Sequence, residues 1–359
     1  MLTFTLMGAS TSGKRATIKD VAARCDVSAQ TVSRVINNHP RVAPATRKRI
    51  QAAIAELNYR PSALARGLQS NRSNTIGVLL AGLEYTGPAE TLVGITDECG
   101  TQGLTVLIAE LPGFDDFDPS AAIESLIEHQ VDGIVMSVPE VGETVERIAA
   151  ELAHVPVPIV LVRADEFSGF SGVTIDNTSA IHQVVDHLVG LGRRRIAHLA
   201  GPLGWREARA RSLAWKDRLA HHGLDADDLL LAEGDWSAES GARGMEALLE
   251  RVPDLDAVVV ANDRMAFGAL YVLDKHGRSV PDDVAVTGFD DIHEAQWSTP
   301  SLTSVRQPLN HLGRSAVRTV LAQSEDPTRP VTAESLRCTL VVRESTAGAA
   351  HASWPTSSS

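Results

Sequence analysis

The stretch Thr17-Ile18-Lys19-Asp20-Val21-Ala22, followed by Ser28-Ala29-Gln30-Thr31-Val32-Ser33-Arg34-Val35-Ile36-Asn37, decides how this chain begins to fold. Thr17 with Asp20 three residues on is an N-cap pattern, and Ile18, Val21 and Ala22 form an apolar stripe at helical spacing. Asp26 marks a turn. Ser28 is placed to cap a second helix, Ala29 to about Ile36, which turns Val32 and Val35 inward. Asn37, Asn38, His39 and Pro40 then break the helix. Pro44 suits the first turn of a third, whose Ile50, Ile54 and Leu57 recur at i, i+4 and i+7. Three short helices with a tight turn between the first two predict a helix-turn-helix domain over residues 15–61.

On the N-terminal side, residues 1–14 read as a loose tail. They lack the basic region and small-residue cleavage site of a secretory signal. On the C-terminal side, residues 62–74 read as a short hinge helix and linker. From Thr75 the period changes. Apolar runs such as Ile76–Leu80, Ile134–Val138, Ile196–Leu199, Val258–Val260 and Val284–Val286 alternate with amphipathic helical stretches. This is the pattern of βαβ units in parallel sheets. A core over residues 75–345 is too long for one comfortable doubly wound sheet, so two lobes with a cleft between them are expected. The N-lobe is placed at 75–175 and 306–333, and the C-lobe at 176–305 and 334–345. Residues 346–359 are a low-complexity tail.

Charge is divided between these parts. The 359 residues carry a net charge of −12, yet Lys14 to Arg72 holds 12 Lys and Arg against three acids (Asp20, Asp26, Glu56). A basic head on an acidic body is the electrostatic footprint of a modular DNA binder. No run approaches a membrane span. Cys25, Cys99 and Cys338 lie far apart without metal-ligand spacing, which suits reduced structural thiols in a cytoplasm and predicts no metal. No nucleophile–base pair or paired-carboxylate constellation stands out. The adjacent Asp290 and Asp291 at a strand end point to opposite faces, so no enzyme is expected.

The opening stretch resembles the DNA-binding head of LacI/GalR repressors. Leu57-Asn58-Tyr59-Arg60-Pro61 and Ala65-Arg66-Gly67-Leu68 resemble that family's third helix and hinge. Leu191-Gly192 through Gly201-Pro202, Ala261-Asn262-Asp263, Gly288-Phe289-Asp290-Asp291 and Leu302-Thr303-Ser304-Val305 resemble its effector core, in the right order. Glu233 to Ala238 is especially similar to the lactose-responsive branch. The resemblance runs from about Arg15 to Arg343 and implies a periplasmic-binding-protein-like core. It also implies a repressor that leaves a near-palindromic operator when a sugar fills the cleft. A corepressor-dependent regulator has the same parts with the opposite sign. A sugar-binding transport protein would share the core but lack the basic head.

The resemblance makes Ala29, Gln30 and Arg34 the base-reading residues, with Ser33 on the same outward face. Gln suits adenine, Arg suits guanine, and Ala29 can touch a thymine methyl. Thr17, Ser28, Thr31, Asn37 and Arg41 are implied to position the phosphates; Ser28 is equally a plain cap. Ala65 and Leu68 are implied at the minor groove, two symmetry-related Leu68 side chains wedging between base steps; a linker leucine packed on the head is the alternative. The wedge requires a homodimer, and the residues after Arg343 carry no leucine heptads for a larger assembly.

In the core, the resemblance makes Trp236 a stacking platform and Arg211, Asn262, Asp290 and Gln307 hydroxyl binders. Trp236 is otherwise core and Asn262 otherwise a helix cap; Asp263 is read as a cap. Two positions depart from the family pattern. Arg163 stands where an Asp is usual and Ala81 where a Ser is usual. Arg163 in the cleft would favour an acidic sugar or a different ring orientation. No cofactor is implied beyond the sugar effector.

Overall fold

The computed structural model describes residues 16–36, 39–60, 72–111, 113, 119–138, 152, 154–162 and 169–347. The expectations for Asn37, for the hinge with Ala65 and Leu68, and for Arg163 fall outside these residues. The chain divides into two units, Met1–Ser73 and Asn74–Ser359.

In the first unit, α1 (Ile18–Arg24), α2 (Ala29–Ile36) and α3 (Pro44–Glu56) surround a small core of Val21, Ala22, Cys25, Val32, Val35, Ile50, Ala53 and Tyr59. Each helix starts for a local reason. The Thr17 and Asp20 side chains close a reciprocal capping box on α1, satisfying orphan N–H groups of its first turn. Ser28 Oγ accepts from the Thr31 N–H at 3.2 Å. Pro44 opens α3, where its missing N–H loses nothing. Asp26 turns the chain between α1 and α2 at φ 49°.

The second unit begins with β1 (Thr75–Leu80), α4 (Thr86–Gln102), β2 (Thr105–Glu110), α5 (Ser120–Glu128), β3 (Gly133–Ser137), β4 (Ile159–Val162) and β5 (Ser171–Ile175). It continues with α6 (Asn177–Gly190), β6 (Ile196–Ala200), α7 (Arg206–His221), β7 (Leu231–Glu233), α8 (Ala238–Arg251), β8 (Ala257–Val260), α9 (Asp263–Lys275) and β9 (Ala285–Asp290). Last come β10 (Thr303–Arg306), α10 (Leu309–Glu325), β11 (Ala333–Leu336), β12 (Thr339–Val341) and α11 (Glu344–Ala347). They form two six-stranded sheets, in order β11-β5-β4-β3-β1-β2 and β12-β10-β9-β8-β6-β7. All pairings are parallel except that of β12 with β10. Strands buried on both faces explain the unbroken apolar runs of β3, β4, β6 and β8.

The chain passes between the lobes after β5, after β10 and after β11. The third passage falls after Leu336 and not at 333, because β11 continues the register of β5 (Ala333 opposite Gly172, Leu336 opposite Ile175). Residues 334–336 therefore belong to the first sheet. Strand β7 is short because Asp228–Leu230 before it is a 3-10 turn capped by Asp227, and the strand starts only at Leu231. The three cysteines are buried free thiols, and burial pushes Cys99 up to about 11 and Cys338 up to about 12. Among the described residues no helix is long and apolar enough to cross a membrane.

Helices α8 and α9 pack backbone to backbone, with no room for a methyl group at Gly268: a Cβ there would sit 1.9 Å from the Ala238 carbonyl oxygen. Gly268→Ala should therefore force the helices apart and destabilise the core by about 1–3 kcal/mol, as overpacking does. A thermal melt of that variant matching the parent would contradict this packing.

Candidate functional site: a polar-aromatic pocket between the lobes

The C-terminal ends of parallel strands are where an open α/β sheet binds ligands, and segments at the ends of β1, β6, β7, β8, β9 and β10 build this site. The loop after β1 brings Tyr85, Thr86, Gly87 and Pro88 from the first lobe. The loop after β6 brings Trp205, and the first two turns of α7 bring Glu207 and Arg211. Trp236 follows β7, Asn262 and Arg264 follow β8, and Asp290 ends β9. Gln307 lies on the passage from β10 back to the first lobe. Together they line a pocket of about 490 Å³, its mouth included. A broader recess of about 1400 Å³ shares Tyr85, Thr86, Arg264, Asp290 and Gln307 with it and extends past Asp291 and His293.

Trp236 is 8% exposed and adopts φ 73°, a left-handed conformation that turns the chain from β7 into α8. Asp235 steadies the turn by accepting from the Ser237 backbone N–H at 3.0 Å and from its hydroxyl; these bonds hold the Asp235 carboxyl below the usual carboxylate range. The indole presses against Gly201, where a Cβ would meet the ring at 2.3 Å, so only glycine allows this approach. Trp205 meets Trp236 edge-on at 5.8 Å, and Tyr85 meets Trp205 edge-on at 5.5 Å. Three aromatic rings thus form one wall.

The polar side is held in place by the protein. Arg211 donates from Nε to Asn177 Oδ1 at 2.8 Å and from Nη1 to the Ala261 carbonyl at 2.5 Å, with its Cζ 3.6 Å from the Phe289 ring centre. Asn262 caps α9 by accepting from the Met265 N–H at 2.9 Å, and its Nδ2 donates to the Trp236 carbonyl at 3.0 Å. Capping and lining the pocket are therefore not alternatives for Asn262: its fixed amide also locks the tryptophan. Gln307 Nε2 donates to Asp290 Oδ1 at 2.5 Å. Asp290 and Asp291 take φ 117° and 57°, strained values for non-glycine residues that cluster at functional sites. Arg306 Nε donates to Asp291 Oδ2 at 2.6 Å, and Arg343 Nη2 lies 2.7 Å from Oδ1.

Asp263 is not a cap. It is fully buried and accepts from Ser304 Oγ at 2.5 Å and from the Ile292 N–H at 2.8 Å, tying α9 to the loop after β9. Burial first, and the neighbouring Asp290 charge second, push its carboxyl well above the usual range. The sequence reading also passed over Tyr85, Trp205, Glu207 and Arg264. Their one available signal was position just after the apolar runs of β1, β6 and β8. Ala81 is fully buried at the end of β1 and does not line the pocket. Among the described residues no group of His, Cys, Asp or Glu is arranged to hold a metal ion.

In the head, Val32 and Val35 bury one face of α2, while Gln30 and Arg34 are exposed together at i, i+4 and Ala29 and Ser33 are partly exposed beside them. Ser28 Oγ and Thr31 Oγ1 lie 2.9 Å apart at the start of α2. Thr17 is exposed at the start of α1, and Arg41 is exposed in the turn before α3.

A helix-turn-helix head joined to a two-lobed core with a ligand-sized cleft defines a ligand-responsive transcription regulator. Residues 17–62 match the lacI family of bacterial regulatory proteins, and residues 185–346 match the periplasmic binding protein-like domain. Catabolite control protein A of Priestia megaterium is 34% identical over 304 residues, 84% of this chain and 90% of that protein. The lactose operon repressor of Escherichia coli (strain K12) is 32% identical over 312 residues, 87% and 86% of the two chains. Among solved structures, the lac repressor dimer bound to operator and the anti-inducer ONPF is 32% identical with TM-score 0.82, covering 93% of this chain and 99% of that one. The complex of the regulator CelR with cellobiose is 32% identical with TM-score 0.68, covering 92% and 100%. The chain belongs to the LacI family of DNA-binding transcription regulators.

Proposed function

We propose that this chain is a cytoplasmic homodimeric repressor of carbohydrate-use genes, with no catalytic step, that releases a near-palindromic operator when a sugar enters the pocket. The observation that carries this reading is the make-up of the pocket. Both lobes line it, the first through Tyr85, Thr86, Gly87 and Pro88, and Gln307, on the strap joining the lobes, is hydrogen-bonded to Asp290. Aromatic rings beside fixed polar groups suit a sugar ring, which is apolar on its faces and hydroxylated at its rim. A ring that touches both lobes binds one lobe arrangement better than another, and a ligand shifts an equilibrium only through such a difference. Lobe movement would reach the operator through the segment between the two units. Operator and sugar must then weaken each other by the same factor.

Arg211, Trp236, Asn262, Asp290 and Gln307 are proposed to hold the sugar, together with Tyr85 and Trp205. On α2, Ala29, Gln30, Ser33 and Arg34 are proposed to face base edges, with Thr17, Ser28, Thr31 and Arg41 at phosphates. A gel shift on an operator selected from random DNA, with and without a panel of sugars, tests the whole. Release by at least one sugar is expected; retention under every sugar would reduce the chain to a DNA binder. Gln30→Ala should lose about 1–3 kcal/mol at one operator position and almost nothing on random DNA. Equal losses on both would remove Gln30 from base reading.

A further inference from the structure

Glu207 is the one acidic pocket residue whose place is unexplained by the contacts already described. It is 8% exposed, lines the pocket, and neither Oε1 nor Oε2 has a hydrogen-bond partner. Buried polar groups are almost always paired, and a carboxylate shut away from water without donors is strongly unfavourable. Nearby cations are engaged elsewhere. Arg211, one turn further along α7, directs Nε to Asn177 and Nη1 to the Ala261 carbonyl, and Arg264 Nη1 donates to the Glu84 carbonyl at 3.1 Å. The other pocket acid, Asp290, accepts from Gln307. Glu207 lies in the first turn of a 16-residue helix, where a negative charge is favoured. Trp205 and Trp236 line the same pocket.

We infer that Glu207 selects the effector's chemistry: both carboxylate oxygens receive adjacent hydroxyl groups of a neutral sugar ring lying against Trp205 and Trp236, and acidic sugars are excluded. This rests on the reading of the pocket as a sugar site. An ionised carboxylate only accepts, so two empty oxygens call for two donors on the ligand. Neighbouring ring hydroxyls supply them side by side. A second carboxylate or a phosphate would supply none and would meet like charge at short range. Bonds from neutral donors to an ionised acceptor are about twice as strong as neutral pairs, so the gain falls on the ligand that completes this carboxylate.

The test uses the full-length protein and tryptophan-fluorescence titration with glucose, galactose, cellobiose, lactose and maltose, with glucuronate and galacturonate, and with glucosamine. The parent should bind at least one neutral sugar and bind the matching acid at least tenfold more weakly. Glu207→Gln should weaken the neutral sugar by about tenfold to a hundredfold and narrow the gap to the acid. Glu207→Ala is the second variant, and the melting temperature of both without ligand shows that they are folded. A neutral sugar that binds the parent and both variants equally overturns the role of Glu207 while leaving the sugar reading intact. Tighter binding of the acid, or of glucosamine over every neutral sugar, overturns the pairing with hydroxyls. No binding by any probe removes the sugar site itself and this inference with it.

Discussion

Trp236→Ala is expected to lower affinity for the sugar by roughly a hundredfold, the loss of about 2–4 kcal/mol that follows truncation of a buried tryptophan anchor. The ring is held on three sides: Gly201 lies against it, Trp205 meets its edge, and Arg211 Cζ is 5.8 Å from its centre. Its carbonyl accepts from Asn262, so the backbone at φ 73° is anchored independently of the side chain. Ala should therefore keep the turn and remove the platform. The vacated volume would still destabilise the fold by about 3–5 kcal/mol if nothing collapsed into it. For that reason Trp236→Phe belongs beside it, keeping a smaller ring and an intermediate affinity. Titration followed by Trp205 fluorescence, with a melt of each variant, separates the two effects. Unchanged affinity in a folded Trp236→Ala protein would remove the stacking platform from the site.

The second large effect concerns pH. His198 lies in the middle of β6, fully buried, stacked on Trp215 at 5.5 Å and with Nδ1 2.8 Å from the Val259 carbonyl. That bond assigns the proton to Nδ1 and leaves Nε2 without a partner. Burial first, with Arg211 adding to it against the Val259 bond, depresses the imidazole to about 4 from the usual 6.5. Between those values the unfolded chain binds a proton that the folded chain refuses. Stability should therefore be whole above pH 6.5 and fall as pH drops toward 4, by about 3 kcal/mol from this residue. His198→Asn, which keeps a donor for Val259 without titrating in this range, should flatten that part of the profile. Melts from pH 7 to pH 4 with parallel slopes for the two proteins would show that His198 does not drive the loss.

Much of the architecture is readable in the linear order of residues because its causes are local. Thr17 and Asp20 close their capping box within four residues. Val32 and Val35 face inward because three residues nearly complete a helical turn. The apolar runs of β3, β6 and β8 announce sheets covered on both faces. Likeness to a known family then brought Arg211, Trp236, Asn262, Asp290 and Gln307 into view, and the fold brings all five to one pocket.

Other features depend on contacts between distant residues. Asp263 looks like a cap in a string beginning Asn262-Asp263, yet its partners are Ser304 and Ile292, 41 and 29 residues away. β11 joins the first sheet because Ala333 meets Gly172, a register invisible in a short polar segment. Glu207 reads as an ordinary helix-surface acid until α7 is placed with its first turn against the pocket. Spacing along the chain thus determined the helices, the strands and the division into head and core, since hydrogen-bond periodicity and hydrophobic burial act over a few residues. Tertiary structure alone decided which polar groups are paired and which are left without a partner, because burial and partnership depend on neighbours that the sequence does not place side by side.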